Sequence, residues 1–297
     1  MSSYRFCRTD DIGLLVDALN RCWRPHFPDE PPMTPAAFKR SIRDLQVWCS
    51  SCMVAFADAD PIGVLIGAKR PSGTLIHRIA VHPDHLRQGH GHHLLTSLGS
   101  KLAILGPPRI VAEVPEASGP VSGLFEASGF VRETILTDYV WHGDAETHAL
   151  PGVAGAFVIP VTVDDLEANG LLGGDHPQTC WERSVETLTA RKEEIAGLAV
   201  ASDERIEACI LYVRPGGGPE GDQEGAEILS LRAFIEDGGA RLKQLFSRLR
   251  AQDVRSVRLP KVHPGEISTE LLETLGFRSA GGHRLYTATL RQGSGSP

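Results

Sequence analysis

The chain repeats itself at an interval of 147 residues. LFEASGF, which ends at Phe130, returns as LLETLGF, which ends at Phe277, 147 positions later. The same interval separates three further pairs: Ile110 and Val257, Tyr139 and Tyr286, and Gly91 and Gly238. Several matched elements in one order are hard to obtain by chance. We therefore predict two copies of one domain.

The two copies are joined by a segment rich in glycine, proline and alanine. DAETHALPGVAG, residues 144–155, has this composition, which is typical of a linker. A chain of 297 residues is long for one hydrophobic core, since domains commonly hold about 100–150 residues. We predict a first domain at residues 1–147 and a second at residues 155–297. Each copy starts with an extended run (YRFCRTDDI, FVIPVTVDDL) whose acidic residues could cap a helix.

Hydrophobic periodicity predicts the same series of elements in both copies. In the first copy we expect strands at 4–8, 53–59, 62–70, 74–81, 109–114 and 130–141, and helices at 11–23, 34–45, 91–105 and 120–128. In the second we expect helices at 179–194, 239–252 and 268–276, and strands at 195–202, 205–213, 226–234, 256–262 and at the end of the chain. The insertion at 214–225 is expected to be a mobile loop. The predicted fold class is α/β, with a mixed, mostly antiparallel sheet in each copy and helices on both faces.

Two glycines stand where a predicted strand hands over to a predicted helix. The connection reads VHPDHLRQGHGHHLL, starting at Val81. The amides at the start of a helix have no partner within the helix and carry a partial positive charge, which suits a phosphate. Gly89 and Gly91 carry no side chain that would hold such a ligand away.

This pattern identifies a family. A strand, then V-x-P-x-x-x-x-x-G-x-G-x-x-L-L, then a helix, and later L-[YF]-E-x-x-G-F, resembles the GCN5-related N-acetyltransferases (GNAT family). The matching residues are Val81, Pro83, Gly89, Gly91, Leu94, Leu95, Phe125, Glu126, Gly129 and Phe130. Because the second half keeps the element order and the final G-F motif, the whole chain resembles a tandem acetyltransferase.

The resemblance implies that the first copy binds acetyl-CoA. In the family the glycine loop binds the pyrophosphate of coenzyme A, and the preceding strand pairs with the pantetheine arm. Carried over, the cofactor-binding residues are Ile79, Ala80, Val81, Arg87, Gln88, Gly89, His90, Gly91, His92 and Phe125. The chain departs from the family at Leu86, where an Arg or Gln is usual.

Acetyl transfer to an amine is assisted by a general base and by a proton donor for the departing thiolate. The family's donor is commonly a tyrosine at the position of Phe125, so we take Tyr139 as its substitute; a structural tyrosine is the alternative. For the base we take Glu113, at the carboxyl end of a strand, because the second copy has Pro260 there. His77 is the second candidate. The alternative is an exposed glutamate and a solvated histidine without a catalytic role.

Two further groups invite a metal or redox interpretation. Six histidines lie close together: His77, His82, His85, His90, His92 and His93. A helix points neighbouring side chains in different directions, so we expect a solvated histidine-rich loop and no metal. Cys49 and Cys52 have C-x-x-C spacing, but no second pair accompanies them. We expect reduced structural thiols there.

The second copy is expected to have lost the cofactor loop. At the 147-residue interval Arg87, Gln88, Gly89 and His90 become Phe234, Ile235, Glu236 and Asp237. Two carboxylates at that place would repel a pyrophosphate. We predict that the second copy is not catalytic and shapes the acceptor pocket or an interface.

Composition narrows the function classes. A formal net charge of −7 argues against general affinity for nucleic acid or for an anionic membrane surface. MSSYRFCRTDD lacks a signal-peptide core and no apolar run reaches about 20 residues, so we expect a cytoplasmic protein. We predict an N-acetyltransferase acting on a primary amine of a small molecule or peptide. The alternative is a non-catalytic acyl-CoA-binding or scaffolding protein. The acceptor and the oligomeric state stay open.

Overall fold

A computed structural model describes residues 2–143, 157–173, 179–214 and 225–289. Its helices are α1 Ile12–Cys22, α2 Pro35–Leu45, α3 His90–Leu105, α4 Gly119–Ala127, α5 Val163–Ala168, α6 Val185–Ala190, α7 Ala240–Arg250 and α8 Thr269–Thr274. Its strands are β1 Ser2–Phe6, β2 Met53–Ala57, β3 Asp60–Arg70, β4 Gly73–Val81, β5 Arg109–Pro115, β6 Val131–His142, β7 Phe157–Val161, β8 Ala196–Ala201, β9 Ile206–Val213, β10 Gly225–Ala233, β11 Ser256–Val262 and β12 Phe277–Thr289.

The chain forms two compact units that each take a strand from the other sequence copy. Unit 1 holds residues 1–134 together with 284–297, and unit 2 holds residues 135–283. The last part of β12 therefore belongs to unit 1, and most of β6 belongs to unit 2. The units differ in these two segments from the predicted domains at 1–147 and 155–297, which follow the repeat in the sequence. The predicted linker, and the predicted insertion loop except for its two end residues, lie outside the described residues.

Unit 1 is built on a mixed sheet in the order β1-β2-β3-β4-β5-β12. Neighbouring strands from β1 to β4 are antiparallel, and β4 and β5 are parallel. β3 is buried along nearly its whole length, as expected for a central strand with elements packed on both faces. The predicted mixed α/β fold is confirmed.

Unit 2 repeats this plan with its own strands. The order is β7-β8-β9-β10-β11-β6; the pairs from β7 to β10 are antiparallel, β10 and β11 are parallel, and β11 and β6 are antiparallel. β6 therefore has in unit 2 the place that β12 has in unit 1. The final strands of the two copies are exchanged.

The long helix after the fourth strand keeps the 147-residue interval through its buried face. In α3, Leu95, Leu98 and Leu102 are buried. The buried leucines of α7 at the same interval are Leu242, Leu245 and Leu249. Because these side chains recur every three or four positions, they form one stripe on each helix that packs on its sheet.

The predicted helix at 179–194 is wrong in its extent. The segment forms two short 3-10 turns around the six-residue helix α6. Cys180 and Ser184 have extended backbone angles. Between them Trp181 and Arg183 are buried, and the Trp181 carbonyl accepts a hydrogen bond from the Thr187 hydroxyl at 2.8 Å. These tertiary contacts hold a backbone that helix periodicity alone does not predict.

Candidate active site

The neighbouring strands β4 and β5 separate soon after they begin. They pair only at Thr74 with Ile110 and at Leu75 with Val111, although β4 continues to Val81 and β5 to Pro115. Two parallel strands that stop pairing leave an opening between their carboxyl ends. Such an opening at the carboxyl end of parallel strands is a usual place for a ligand.

A β-bulge lies at the start of this opening. Ile66 pairs with Arg78 and the next residue, Gly67, pairs with Ile76, so His77 is the extra residue on β4. Bulges bend a strand and redirect a side chain, and they are frequent near active sites. His77 is partly exposed.

The structure brings the two predicted base candidates to the same place. His77 and Glu113 each lie two residues beyond the last paired residues of their strands, Leu75 and Val111. Both side chains are partly exposed. The opening between β4 and β5 therefore starts between a histidine and a carboxylate.

The backbone of β4 offers hydrogen-bonding groups to the opening. The amide of His82 donates to the Ile62 carbonyl of β3 at 2.9 Å. Because backbone groups alternate in an antiparallel pair, those of Ile79 and Val81 point away from β3. The Val81 carbonyl is bonded to His26 Nε2 at 2.8 Å. Ala80 is buried, and its backbone faces β3.

The first turn of α3 presents uncapped amides. Gly89 is the N-cap, with φ 86°, and in the part of the chain that the structure describes no side chain bonds the amides of this turn. A Cβ added at Gly89 would meet nothing within 4 Å, so the space beside this residue is open. Arg87 and Gln88 are exposed, and Arg87 also has a positive φ of 61°. The free amides and the helix dipole can hold an anionic group here.

Two residues of the predicted loop, His90 and Gly91, are buried. A Cβ at Gly91 would lie 3.0 Å from Leu124 of α4, so this glycine permits helix packing. His90 is only 6% exposed, and a 2.6 Å hydrogen bond joins its Nδ1 to the Tyr4 hydroxyl. Burial, together with His85 and His93, lowers the pKa of His90. Of His90 and Gly91, only the backbone can serve a ligand.

His92 lies on the outer side of the same turn. It is exposed, and its Nδ1 is 3.0 Å from the Ser128 hydroxyl that follows α4. This contact joins the start of α3 to the end of α4. The side chain of His92 is thus available at the edge of the loop.

The predicted cofactor contact of Phe125 is wrong for its side chain. The ring is 1% exposed. It stacks on Tyr286 with ring centres 5.4 Å apart and an interplanar angle of 13°, and it meets the edge of Phe130 at 5.2 Å. Phe125 therefore belongs to the hydrophobic core of unit 1.

The predicted proton donor, Tyr139, lies in unit 2. Its hydroxyl is 3.2 Å from the Thr269 hydroxyl of α8. The equivalent tyrosine in unit 1 is Tyr286, which β12 supplies and whose hydroxyl donates to the Glu126 carboxylate at 3.3 Å. The assignment of Tyr139 to the first copy fails because the final strands are exchanged, which the repeat in the sequence does not reveal.

Sequence reasoning missed a group of side chains between α1 and α2. The Arg78 guanidinium lies 4.8 Å above the Trp23 ring and 3.1 Å from the Glu30 carboxylate. Trp23 Nε1 donates to Glu30 at 3.1 Å, and its ring stacks on Phe27 at 4.3 Å. The aromatic and acidic residues of CWRPHFPDE were the available signal. The group covers the face of β4 beside the opening.

The corresponding helix end in unit 2 is occupied by a carboxylate. Asp237 accepts hydrogen bonds from the amides of Gly239, Ala240 and Arg241 at 2.9, 3.1 and 2.9 Å. The connection from strand to helix is residues 82–89 in unit 1 and residues 234–239 in unit 2, so it is also two residues shorter in unit 2. In unit 2 the carboxylate of Asp237 therefore takes the place that an anionic ligand could have at this helix end.

Metal and thiol chemistry gain no support from the part of the chain that the structure describes. It contains no group of three or more histidine, cysteine or acidic side chains placed to bind a metal ion. The six cysteines all fall in this part and all are buried. Burial raises the pKa of the Cys7 thiol to about 12. Within the same residues no helix has the length and apolar character needed to cross a membrane.

Residues 14–130 match the model of the acetyltransferase (GNAT) family. The matched range contains the opening between β4 and β5, the first turn of α3 and Phe125. The match supports acyl transfer as the general class of chemistry.

Solved structures share the fold of the whole chain. A tandem GNAT protein from the clavulanic acid biosynthesis pathway has a TM-score of 0.63 at 18% identity, covering 98% of this chain and 99% of its own. A GCN5-related N-acetyltransferase from Sphaerobacter thermophilus has a TM-score of 0.67 at 15% identity, with 98% and 96% covered. One from Anabaena variabilis has 0.65 at 10% identity, with 98% and 73% covered. At these identities the likeness concerns the fold.

Proposed function

We propose that unit 1 transfers the acetyl group of acetyl-CoA to a primary amine, from the premise that residues 14–130 match the acetyltransferase (GNAT) family and that the chain has the fold of a tandem GNAT protein. The observation that carries the assignment to unit 1 is the contrast between the two helix ends. Among the described residues no side chain bonds the amides of the first turn of α3, whereas Asp237 accepts hydrogen bonds from the amides of Gly239, Ala240 and Arg241 at the start of α7.

The residues of unit 1 fit coenzyme A in two places. The amides from Arg87 to His92 would hold its pyrophosphate, because they are uncapped and the space beside Gly89 is open. The backbone groups of Ile79 and Val81, which point away from β3, would pair with its pantetheine arm. Acetyl-CoA supplies an acetyl group activated as a thioester.

The proposed base is Glu113. An amine acceptor is protonated at neutral pH and must lose a proton before it can attack a carbonyl carbon. Glu113 and His77 lie where β4 and β5 separate. Glu113 would take the proton from the acceptor, and His77 is the second candidate.

The proposed proton donor for the departing thiolate is Tyr286, which is fully buried, so the proposal requires that cofactor binding opens access to its hydroxyl. Its ring stacks on Phe125, which holds the motif position where the family commonly has a tyrosine. β12 thereby brings a phenol hydroxyl beside that position. The Tyr286 hydroxyl donates a hydrogen bond to the Glu126 carboxylate at the end of α4.

The proposed acceptor side is the segment from Trp23 to Glu30. Its aromatic rings and the carboxylate of Glu30 are groups that attract a protonated amine. The Arg78 guanidinium already lies over Trp23 and pairs with Glu30, so an acceptor amine would have to displace it from these groups. We infer that an acceptor amine approaches from this face of β4.

The test is release of thiol from acetyl-CoA over a panel of primary amines. We expect turnover by the protein, and a rate reduced about 10²–10⁴-fold in Glu113→Gln with acetyl-CoA affinity little changed, the range for losing general-base assistance. Glu133→Gln is the matched control, since Glu133 is a carboxylate of unit 1 that pairs with Arg109 on the surface. Tight acetyl-CoA binding without release on any amine would favour the non-catalytic alternative. Normal turnover by Glu113→Gln would remove Glu113 as the base.

A further inference from the structure

The parallel strands β10 and β11 of unit 2 also separate. They pair at three positions, with Gly225–Glu227 opposite Ser256–Arg258, and both strands continue beyond them. A bulge at Leu229 lies just past the paired region, since Ile228 pairs with Tyr212 and Ser230 with Leu211. Unit 2 therefore retains the opening even though its loop has changed.

A cavity of about 260 Å³ lies beside the part of β10 that follows the paired region. It is lined by residues 229–233 of β10 and by Phe234, by Leu242 and Leu271 from the two helices α7 and α8, and by Arg183 and Glu266. A cavity of roughly 150 Å³ is enough for benzene. The unit 2 cavity can accordingly hold a somewhat larger small molecule.

A coenzyme A molecule does not fit the approach to this cavity. The three amides that would receive a pyrophosphate already bind Asp237. Arg241 beside them pairs with Glu207 at 2.8 Å and with Asp237 at 3.5 Å. Asp237 thus occupies the amides that would bind the pyrophosphate of coenzyme A, although the cavity is still present.

The charges around the cavity leave one cation without a carboxylate. Arg183 and Glu266 form a bidentate pair and balance each other. Arg232 donates to the Leu171 carbonyl at 3.0 Å, and no carboxylate among the described residues pairs with it. The rest of the lining combines apolar side chains, among them Leu242 and Leu271, with the hydroxyl groups of Thr179, Ser230 and Ser268. The cavity therefore has both apolar and polar walls, and Arg232 is a cation in its lining with which no described carboxylate pairs.

We propose that this cavity binds a small organic carboxylate, with its chain against Leu242 and Leu271 and its carboxylate on Arg232. Hydrogen bonds between a guanidinium and a carboxylate are charge-assisted and stronger than neutral ones. The ligand carries no nucleotide. The site lies wholly in unit 2 and does not depend on the proposed function of unit 1.

The experiment titrates the full-length protein with the straight-chain carboxylates from acetate to octanoate, using ligand-observed NMR and calorimetry. We expect at least one to bind, and its neutral amide to bind at least about ten-fold more weakly because a charge-assisted hydrogen bond is lost. Arg232→Gln should lower the affinity for the carboxylate by a similar factor. Ala233→Phe, at an exposed lining position, should also weaken it by narrowing the cavity.

Arg205→Gln is the matched control, because Arg205 is an exposed arginine of unit 2 outside the lining, and it should bind as the parent does. Thermal unfolding of each variant checks that the fold is intact. The proposal is overturned if no carboxylate binds, if acid and amide bind equally, or if folded Arg232→Gln binds normally. Displacement of the carboxylate by acetyl-CoA would place it in unit 1 and also overturn the proposal, while leaving the proposed function of unit 1 in place.

Discussion

At the residue scale, Tyr286 and Tyr139 hold equivalent positions in the repeat, and substituting each of them tests which strand completes unit 1. Both are buried and each makes one hydrogen bond through its hydroxyl, Tyr286 to Glu126 and Tyr139 to Thr269. We expect Tyr286→Phe to lower the acetylation rate about 10²–10⁴-fold, as for loss of a general acid, with acetyl-CoA affinity retained. Tyr139→Phe loses a comparable hydrogen bond and should leave the rate unchanged. Steady-state kinetics on one amine compares the acetylation rates of the two variants. A lower rate in Tyr139→Phe alone would show that the proton donor is Tyr139, on the final strand of the first copy.

Glu227 gives a pH prediction in unit 2. Burial raises the pKa of this carboxyl group above its usual range, although Arg258 lowers it in part. The native state thus holds the proton more tightly than the unfolded state, so the free energy of unfolding falls as pH rises from the unfolded value near 4.5 through the raised pKa. Glu227→Gln should then be more stable than the parent at pH 7, with the difference shrinking towards pH 4.5.

Thermal unfolding between pH 4.5 and 8 measures this effect. Glu236→Gln, at an exposed carboxylate of the same unit, is the control and should show no such trend. A Glu227→Gln variant that is less stable than the parent at pH 7 would show that the Glu227 carboxylate stabilises the fold through its basic neighbours.

The places of Glu113 and His77 in the fold were predictable because their positions on their strands decide where they lie. Glu113 is at the carboxyl end of its strand and His77 is on the neighbouring one, and the structure puts both where β4 and β5 separate. Gly91 and Phe125 are different. Their motif positions are correct, but Leu124 decides that Gly91 faces α4, and Tyr286 decides that Phe125 is covered. These neighbours come from elsewhere in the chain, so spacing alone could not predict the outcome.

At the scale of elements, the two helix ends differ in what satisfies their amides. Asp237 accepts three amide hydrogen bonds before α7, as an N-cap side chain does. Asp237→Ala should lower the free energy of unfolding by about 0.5–2 kcal/mol, the range for loss of a cap. Glu236→Ala, at the neighbouring exposed carboxylate, should lower the free energy of unfolding much less. Urea unfolding compares them; equal effects would mean that Asp237 contributes no specific cap.

Most element boundaries were predictable because the apolar stripe of a helix and the alternation of a strand are local signals. β11 was expected at 256–262 and is found there, and α3 was expected to end at Leu105 and does. The helix expected at 179–194 failed because its backbone follows the burial of Trp181 and Arg183, which is a tertiary effect.

At the scale of the whole molecule, the copies are related by sequence but each unit is completed by the other copy's final strand. Unit 1 includes residues 284–297 and unit 2 begins at residue 135. A repeat offers two equivalent strands for each position, and nothing in a local pattern distinguishes them. The tandem fold was therefore predictable, whereas the exchange of β6 and β12 was not.

The central claim is that one acetyl-CoA binds per chain, at the start of α3. The most direct measurement is calorimetric titration of the full-length protein with acetyl-CoA, beside Gly89→Asp and Gly238→Asp. Both glycines have positive φ, 86° and 64°, and open space around them, and Asp tolerates such angles better than most residues. We predict a stoichiometry of about one, its loss in Gly89→Asp because a carboxylate then competes for the amides, and normal binding in Gly238→Asp. Two molecules per chain, or binding that survives in Gly89→Asp and is lost in Gly238→Asp, would contradict the account.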